Sequence, residues 1–177
     1  MMGETSQSVN KPLKKAAVIG CPIAHSQSPI MHNYCLTQLG IHAHYSAVEI
    51  KSENELGQFL NSIKDDHWVG INVTLPYKES VLQYLDDASE DVHAIGACNT
   101  IVNHNGRLLG YNTDARGFSF PLKNHRFESV LVLGNGGASK AVVYECCRKG
   151  ATSIDLVARN HDKSMDLVRR MEDSFQV

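Results

Sequence analysis

Apolar residues along this chain fall into short blocks separated by polar turns, and the spacing within the blocks alternates between two kinds. Residues 16–20 (AAVIG) form a continuous apolar run closed by glycine, the pattern of a strand buried on both faces. The turn-rich CPIAHSQS follows, and Pro29 then opens a helix with Ile30, Met31, Tyr34, Cys35 and Leu39 at helical spacing and Gly40 as its stop. Residues 44–50 (HYSAVEI) alternate as a second strand, and residues 53–63 repeat the helical spacing through Leu56, Phe59, Leu60 and Ile63. Residues 68–73 read as a third strand. The order strand, helix, strand, helix, strand predicts right-handed crossovers and a mostly parallel sheet covered by helices.

Pro76 closes the third strand, and residues 78–85 and 87–95 read as short helices, the second ended by Gly96. Strands over 98–102 and 107–111 flank Asn105-Gly106, the strongest short-range hairpin signal. A helix over 113–122, capped by Asn112 or Thr113 and weakened by Pro121, leads out of this first unit. From Ser129 the pattern restarts as strand (130–133), glycine turn, helix (138–149), Gly150, strand (154–157) and helix (161–171). The chain is thus predicted to be α/β: an N-terminal α/β substrate-binding domain with a mostly parallel sheet over 14–114, then an incomplete Rossmann-type domain over 115–177. No internal repeat or low-complexity tract interrupts it.

Composition narrows the function classes. Seventeen Lys and Arg against nineteen Asp and Glu give a net charge of −2, without the basic excess that a nucleic-acid partner demands. No run reaches the length of a membrane span, and the polar first fifteen residues lack the apolar stretch of a secretory signal. Five cysteines without a C-x-x-C pair suit a reducing compartment, so the expected location is cytoplasmic. Nine scattered histidines give no metal-ligand spacing; the close pair His42 and His44 has no nearby Cys or carboxylate, and no metal site is expected.

Gly134-Asn135-Gly136-Gly137-Ala138-Ser139 sits between a predicted strand and a predicted helix, the context in which glycines let the backbone approach a pyrophosphate at a helix N-terminus. Its spacing departs from strict G-x-G-x-x-G, and a tight turn can need glycines for packing alone. The next strand ends in Ala158-Arg159-Asn160, which offers an arginine where NAD-selective sites carry an acid; with Lys163 as a second charge this favours NADP. In the first unit Ser26, Ser28 and a helix N-terminus could hold a carboxylate or phosphate, or Ser28 could simply cap the helix. Asn72, Thr74 and Lys78 cluster at the C-terminal end of the third strand, where open α/β sheets place ligands, and Lys78 is the one proton donor among them. Asn99, Thr100, Asn112, Thr113 and Asp114 gather at the hairpin and its exit, as turn chemistry or as partners of Lys78.

GCPIAHSQSPIMHN, NVTLPYK, IGACNT, GYNTDARG and GNGGAS, taken in order, resemble the shikimate dehydrogenase family over nearly everything from Ala16 onward. The resemblance implies NADPH-dependent, reversible reduction of 3-dehydroshikimate to shikimate on the route to aromatic amino acids, by a monomer or homodimer. It implies that Ser26 and Ser28 hold the substrate carboxylate, that Thr74, Asn99 and Asp114 bind ring hydroxyls, and that Lys78, helped by Asp114, transfers the proton. It implies further that the loop Gly134, Asn135, Gly136, Gly137 and Ala138 cradles the pyrophosphate, with Ala158, Arg159, Asn160 and Lys163 at the 2′-phosphate end and Glu90 at a position assigned to the cofactor. Where the family usually has Ala and Asn or Ser, this chain has Asn135 and Ala158, the latter forfeiting one hydrogen bond to the cofactor. The family pattern continues past Val177 with further strands and a segment returning to the first unit, so the chain is expected to be a truncated form. The alternative is a non-catalytic shikimate- or quinate-binding relative acting as a binding or interaction module.

Overall fold

The computed structural model of the chain describes residues 12–122 and 125–175. Its first unit is a six-stranded sheet in the order β2-β1-β3-β5-β6-β4. Strands β1 (Lys14–Gly20), β2 (Ala43–Glu49) and β3 (Trp68–Val73) run parallel, joined by helices α1 (Ser28–Gln38) and α2 (Glu53–Ser62). Strands β5 (Thr100–His104) and β6 (Arg107–Tyr111) form an antiparallel hairpin, and β5 joins β3 antiparallel, so the sheet is mixed. Asn105 and Gly106 turn that hairpin with φ of 54° and 82°, the left-handed pair the Asn-Gly signal anticipates.

The core lies on the α2 side of the sheet. Ile19, Ile71 and Val73 pack there with Leu56 and Leu60 of α2, with Ile63 just after it, and with Val81, Val92 and Leu108. Burial of several aliphatic side chains at about 1.5–3 kcal/mol each makes this cluster the main source of stability. The opposite face is thinner: Val18, Ile23 and Tyr45 form a small cluster with Leu36 of α1. Helix α1 is where its spacing predicts, yet none of its residues is buried, and Ile30, Met31, Tyr34 and the following Leu39 are 56–71% exposed.

Several boundaries differ from the sequence pattern: the helix expected over 113–122 is α-helical only to Ser119 and passes into a 3-10 turn at Phe120–Leu122, and the helix expected over 161–171 runs on to Phe175. Residues 78–85 give only a 3-10 turn, Ser80–Tyr84. Residues 87–95 are not one helix: Asp87–Ala88 is a short strand, β4, paired with Leu109 and Gly110 of β6, and α3 starts at Glu90 (Glu90–Ile95). The hairpin takes these backbone groups first, since Asp86 N–H donates to Leu108 O and Ser89 N–H to Gly110 O. The strand expected from Cys98 starts at Thr100, because Cys98 N–H donates instead to Lys78 O. The left-handed Gly96 (φ 68°) ends α3 as expected.

The second unit has β7 (Ser129–Leu133) and β8 (Ser153–Val157) parallel, with α5 (Gly137–Arg148) crossing between them and α6 (His161–Phe175) following: a β-α-β-α unit of Rossmann type. Helix α4 (Thr113–Ser119) bridges the units, its Ala115 packing with Ile95, Ala97 and Ala141 of α5. Residues 114 and 115, between which the sequence pattern divides the units, both lie in α4. A second contact lies at α6, where the Arg170 guanidinium stands 3.1–3.2 Å from where a Cβ on Gly96 would be. Among the described residues no helix is long and apolar enough to cross a membrane.

Candidate active site

The parallel pairing of β1 with β3 brings their C-terminal ends to one edge of the sheet. Ile19 lies opposite Val73, Thr74 N–H donates to Ile19 O, and Cys21 N–H donates to Leu75 O. Gly20 is required by this approach, since a Cβ there would sit 2.5 Å from Thr74 Cγ2 and 2.8 Å from Leu75 O. The segment carrying Ser26 and Ser28 thus leaves the sheet beside the segment carrying Thr74 and Lys78. Across β3, Asn72 pairs with Thr100, which pairs with Tyr111 at the end of β6, so 99–100 and 112–114 join the same edge.

Charged and polar side chains interlock there. Lys78 Nζ donates to Asp114 Oδ2 at 2.5 Å, with the Lys78 side chain 14% exposed and that of Asp114 30%. Asn99 Nδ2 donates to the other Asp114 oxygen at 2.7 Å, and Asn99 Oδ1 accepts from Thr113 N–H and the Thr100 hydroxyl. Asn112 caps α4, accepting from the N–H of Asp114 and Ala115, while its amide donates to Ala97 O at 2.8 Å. Of the two cap candidates Asn112 is the one used, and it fixes the turn that presents Asp114.

Ser28 does not cap α1. It is the first helical residue after Gln27, and its N–H is taken by the Ser26 hydroxyl at 3.3 Å. Tyr45, which spacing did not single out, completes this edge. The Tyr45 hydroxyl donates to Asn72 Oδ1 at 2.7 Å, and Asn72 Nδ2 reaches Thr100 Oγ1 at 3.1 Å. Burial pushes the Tyr45 phenol up to about 12. Asn33 holds Tyr45 by a pair of bonds to its backbone, and His32 stacks on its ring at 4.2 Å. The sequence signal for Tyr45 was only its inward place in an alternating strand.

The glycine turn lies in an open cleft of about 930 Å³ lined by Gly134, Asn135, Gly136, Ala158, Arg159 and Asn160, together with Val157, His161 and Asp162. Gly134 has φ 103° and its N–H donates to Val157 O, tying the turn to β8. Gly136, the α5 N-cap, has open space where a Cβ would be, and no side chain caps the helix. Those first-turn N–H groups and the exposed Arg159 guanidinium fit a dinucleotide carrying a 2′-phosphate. The Asn135 amide donates to Asn160 O and Ser164 Oγ, bracing the β8–α6 turn at the wall of the cleft.

Gly137 serves a different contact. It is buried, and a Cβ there would come within 3.1 Å of Lys78 Cδ and 3.3 Å of Lys78 Cβ, so the glycine turn and the Lys78 cluster share a boundary. Lys163 does not line the cleft; its Nζ lies 3.8 Å from Glu79. Glu90 is not among the cleft residues either, and borders a separate hollow of about 480 Å³ with His93, Tyr144 and Arg170. Among the described residues no cluster of His, Cys, Asp and Glu could hold a metal ion.

Residues 18–101 match the family described as "Shikimate dehydrogenase substrate binding domain". Shikimate dehydrogenase (NADP(+)) of Caldicellulosiruptor bescii is 38% identical over 170 residues, covering 93% of this chain and 59% of that protein. The chain is similar to shikimate dehydrogenases along nearly its whole length. The crystal structure of shikimate dehydrogenase from Aquifex aeolicus superposes with a TM-score of 0.83 at 38% identity, over 92% of this chain and 62% of that one. Shikimate 5-dehydrogenase of Thermus thermophilus, solved in complex with NADP(H) and shikimate, gives 0.80 at 34% identity, over 90% and 61%. The chain spans about three fifths of the length of the curated family members it matches.

Proposed function

We propose that this chain carries the substrate site and the glycine-loop half of the cofactor site of an NADP-dependent shikimate dehydrogenase. The observation that carries this reading is the Lys78–Asp114–Asn99 cluster, bonded at 2.5 and 2.7 Å, at the strand ends beside the glycine turn. Ser26 and Ser28 receive the carboxylate of the acid, and Thr74, Asn99 and Asp114 bind its ring hydroxyls. Gly134, Gly136 and the first turn of α5 hold the pyrophosphate, and Arg159 the 2′-phosphate. NADP(H), when bound there, supplies or accepts the hydride at the ring carbon. In the reducing direction Lys78 gives a proton to the carbonyl oxygen as that carbon is reduced; in the oxidising direction it takes the hydroxyl proton. Asp114 holds Lys78 Nζ in place, and Asn99 keeps the Asp114 carboxylate turned toward it. The cluster is assembled from one chain, so no second copy is needed to complete it. Five free thiols and a reduced nicotinamide substrate suit the cytoplasm.

The test is shikimate-dependent reduction of NADP+, followed by the absorbance of the reduced nicotinamide. The reading expects turnover, in this chain or in a version extended by the rest of the cofactor site, that falls roughly a hundredfold or more in Lys78→Ala. Equal rates with and without Lys78 would refute its assignment, and binding of shikimate without any turnover in the extended version would favour a binding module.

A further inference from the structure

Glu79 follows Lys78 directly but serves the other unit. Its carboxylate stands between Lys140 Nζ of α5, 3.2 Å from Oε2, and Lys163 Nζ of α6, 3.8 Å from Oε1. The two contacts differ in kind. Lys163 is 55% exposed, and such a pair is weak and screened by salt. The Lys140 side chain is 3% exposed, and a buried ammonium is tolerated only with a counter-ion, which Glu79 provides. Lys140 is on the first turn of α5, three residues after Gly137, and the missing Cβ of Gly137 is what admits the aliphatic stem of Lys78. The same turn of α5 therefore touches Lys78 through Gly137 and grips the next residue through Lys140.

We propose that Glu79 and Lys140 form a positioning pair that seats Lys78 against the glycine turn and so aims its Nζ at Asp114. The pair makes the placement of the proton-transfer lysine depend on the docking of the cofactor unit. Neither residue touches the reacting atoms; both act through Lys78. The inference rests on the reading of Lys78 as the proton-transfer residue.

The experiment compares wild type, Glu79→Gln, Lys140→Met, the double variant and Lys140→Arg in this chain. The first readout is reductive methylation with formaldehyde, mapped by peptide mass spectrometry, with Lys78 labelling expressed relative to the exposed Lys51. Each single variant is expected to raise that ratio roughly threefold or more by loosening the local seat. The double variant should go no further, and Lys140→Arg should return toward wild type. The second readout is steady-state shikimate oxidation, where kcat should fall roughly tenfold while KM for shikimate stays within about twofold, the signature of misplacement and not of lost binding. Glu79→Gln strands a buried cation; should it fail to fold, Lys140→Met, which removes that cation, decides. A folded Lys140→Met with wild-type labelling and wild-type kcat overturns the proposal, as does a double variant whose effects simply add. If wild type oxidises no shikimate even when extended by the rest of the cofactor site the functional reading fails, and the labelling ratio still decides whether the pair seats Lys78.

Discussion

Asn112 carries a structural load that can be measured in two parts. The residue is 2% exposed and its side chain does two jobs: Oδ1 accepts from the N–H of Asp114 and Ala115 as the cap of α4, and Nδ2 donates to Ala97 O at 2.8 Å. Loss of the cap costs about 1 kcal/mol. Loss of the donor leaves a buried carbonyl unpaired at about 1–3 kcal/mol. Asn112→Ala removes both and is expected to cost about 2–4 kcal/mol, whereas Asn112→Ser keeps a cap oxygen and loses only the bond to Ala97. With a urea dependence of about 2 kcal/mol per M, the Ala variant should unfold about 1–2 M earlier, with Ser between it and wild type. Shikimate affinity should fall in the same order, because Asp114 stands on the first turn that the cap fixes. Equal midpoints for Ala and Ser, or both within about 0.5 kcal/mol of wild type, would refute this account of α4.

Two further outcomes follow from the charges. The Asp86 carboxylate accepts from Leu108 N–H at 2.7 Å and lies 3.3 Å from Lys64, and the backbone bond first, then the lysine, lowers its pKa below the ordinary 3.8. A lowered carboxylate adds stability above the ordinary aspartate range and loses it as pH falls through the folded value, so the stability gap between wild type and Asp86→Asn should be flat near neutrality and close below about pH 4 in urea titrations. Arg159→Ala should reduce the preference for NADP+ over NAD+ roughly ten- to hundredfold in kcat/KM, the worth of charge-assisted bonds to one phosphate; an unchanged ratio would place the 2′-phosphate elsewhere.

The sequence pattern locates elements best where local chemistry and tertiary demand agree. Strand β3 is buried between neighbours and bounded by Pro76, and its span is the predicted one. Asn105-Gly106 requires left-handed backbone, so the hairpin was visible in two residues. Residues 87–95 misled because their helical spacing competes with β6, which recruits Asp87 and Ala88 from about twenty residues away. Apolar spacing in α1 marked the helix but not its burial, since periodicity says that residues share a face and not that something covers it. The candidate site follows the same logic. Lys78 and Asp114 were nameable from their places at strand ends, but Tyr45 meets Asn72 only through the β1–β3 and β1–β2 pairings. The contact of Lys163 with Glu79 of the other unit has no signal in the sequence, since the two residues meet only through the packing of the units.

The central claim is that one edge of the first sheet binds shikimate through residues drawn from four segments. Titration of shikimate into the isotopically labelled chain, followed by amide chemical shifts, tests it most directly. The account predicts saturable shifts shared by Ser26, Ser28, Thr74, Asn99 and Asp114, lost together in Asp114→Asn. Saturable shifts confined to the hollow around Glu90, His93 and Arg170, or none at any of the five, would contradict it.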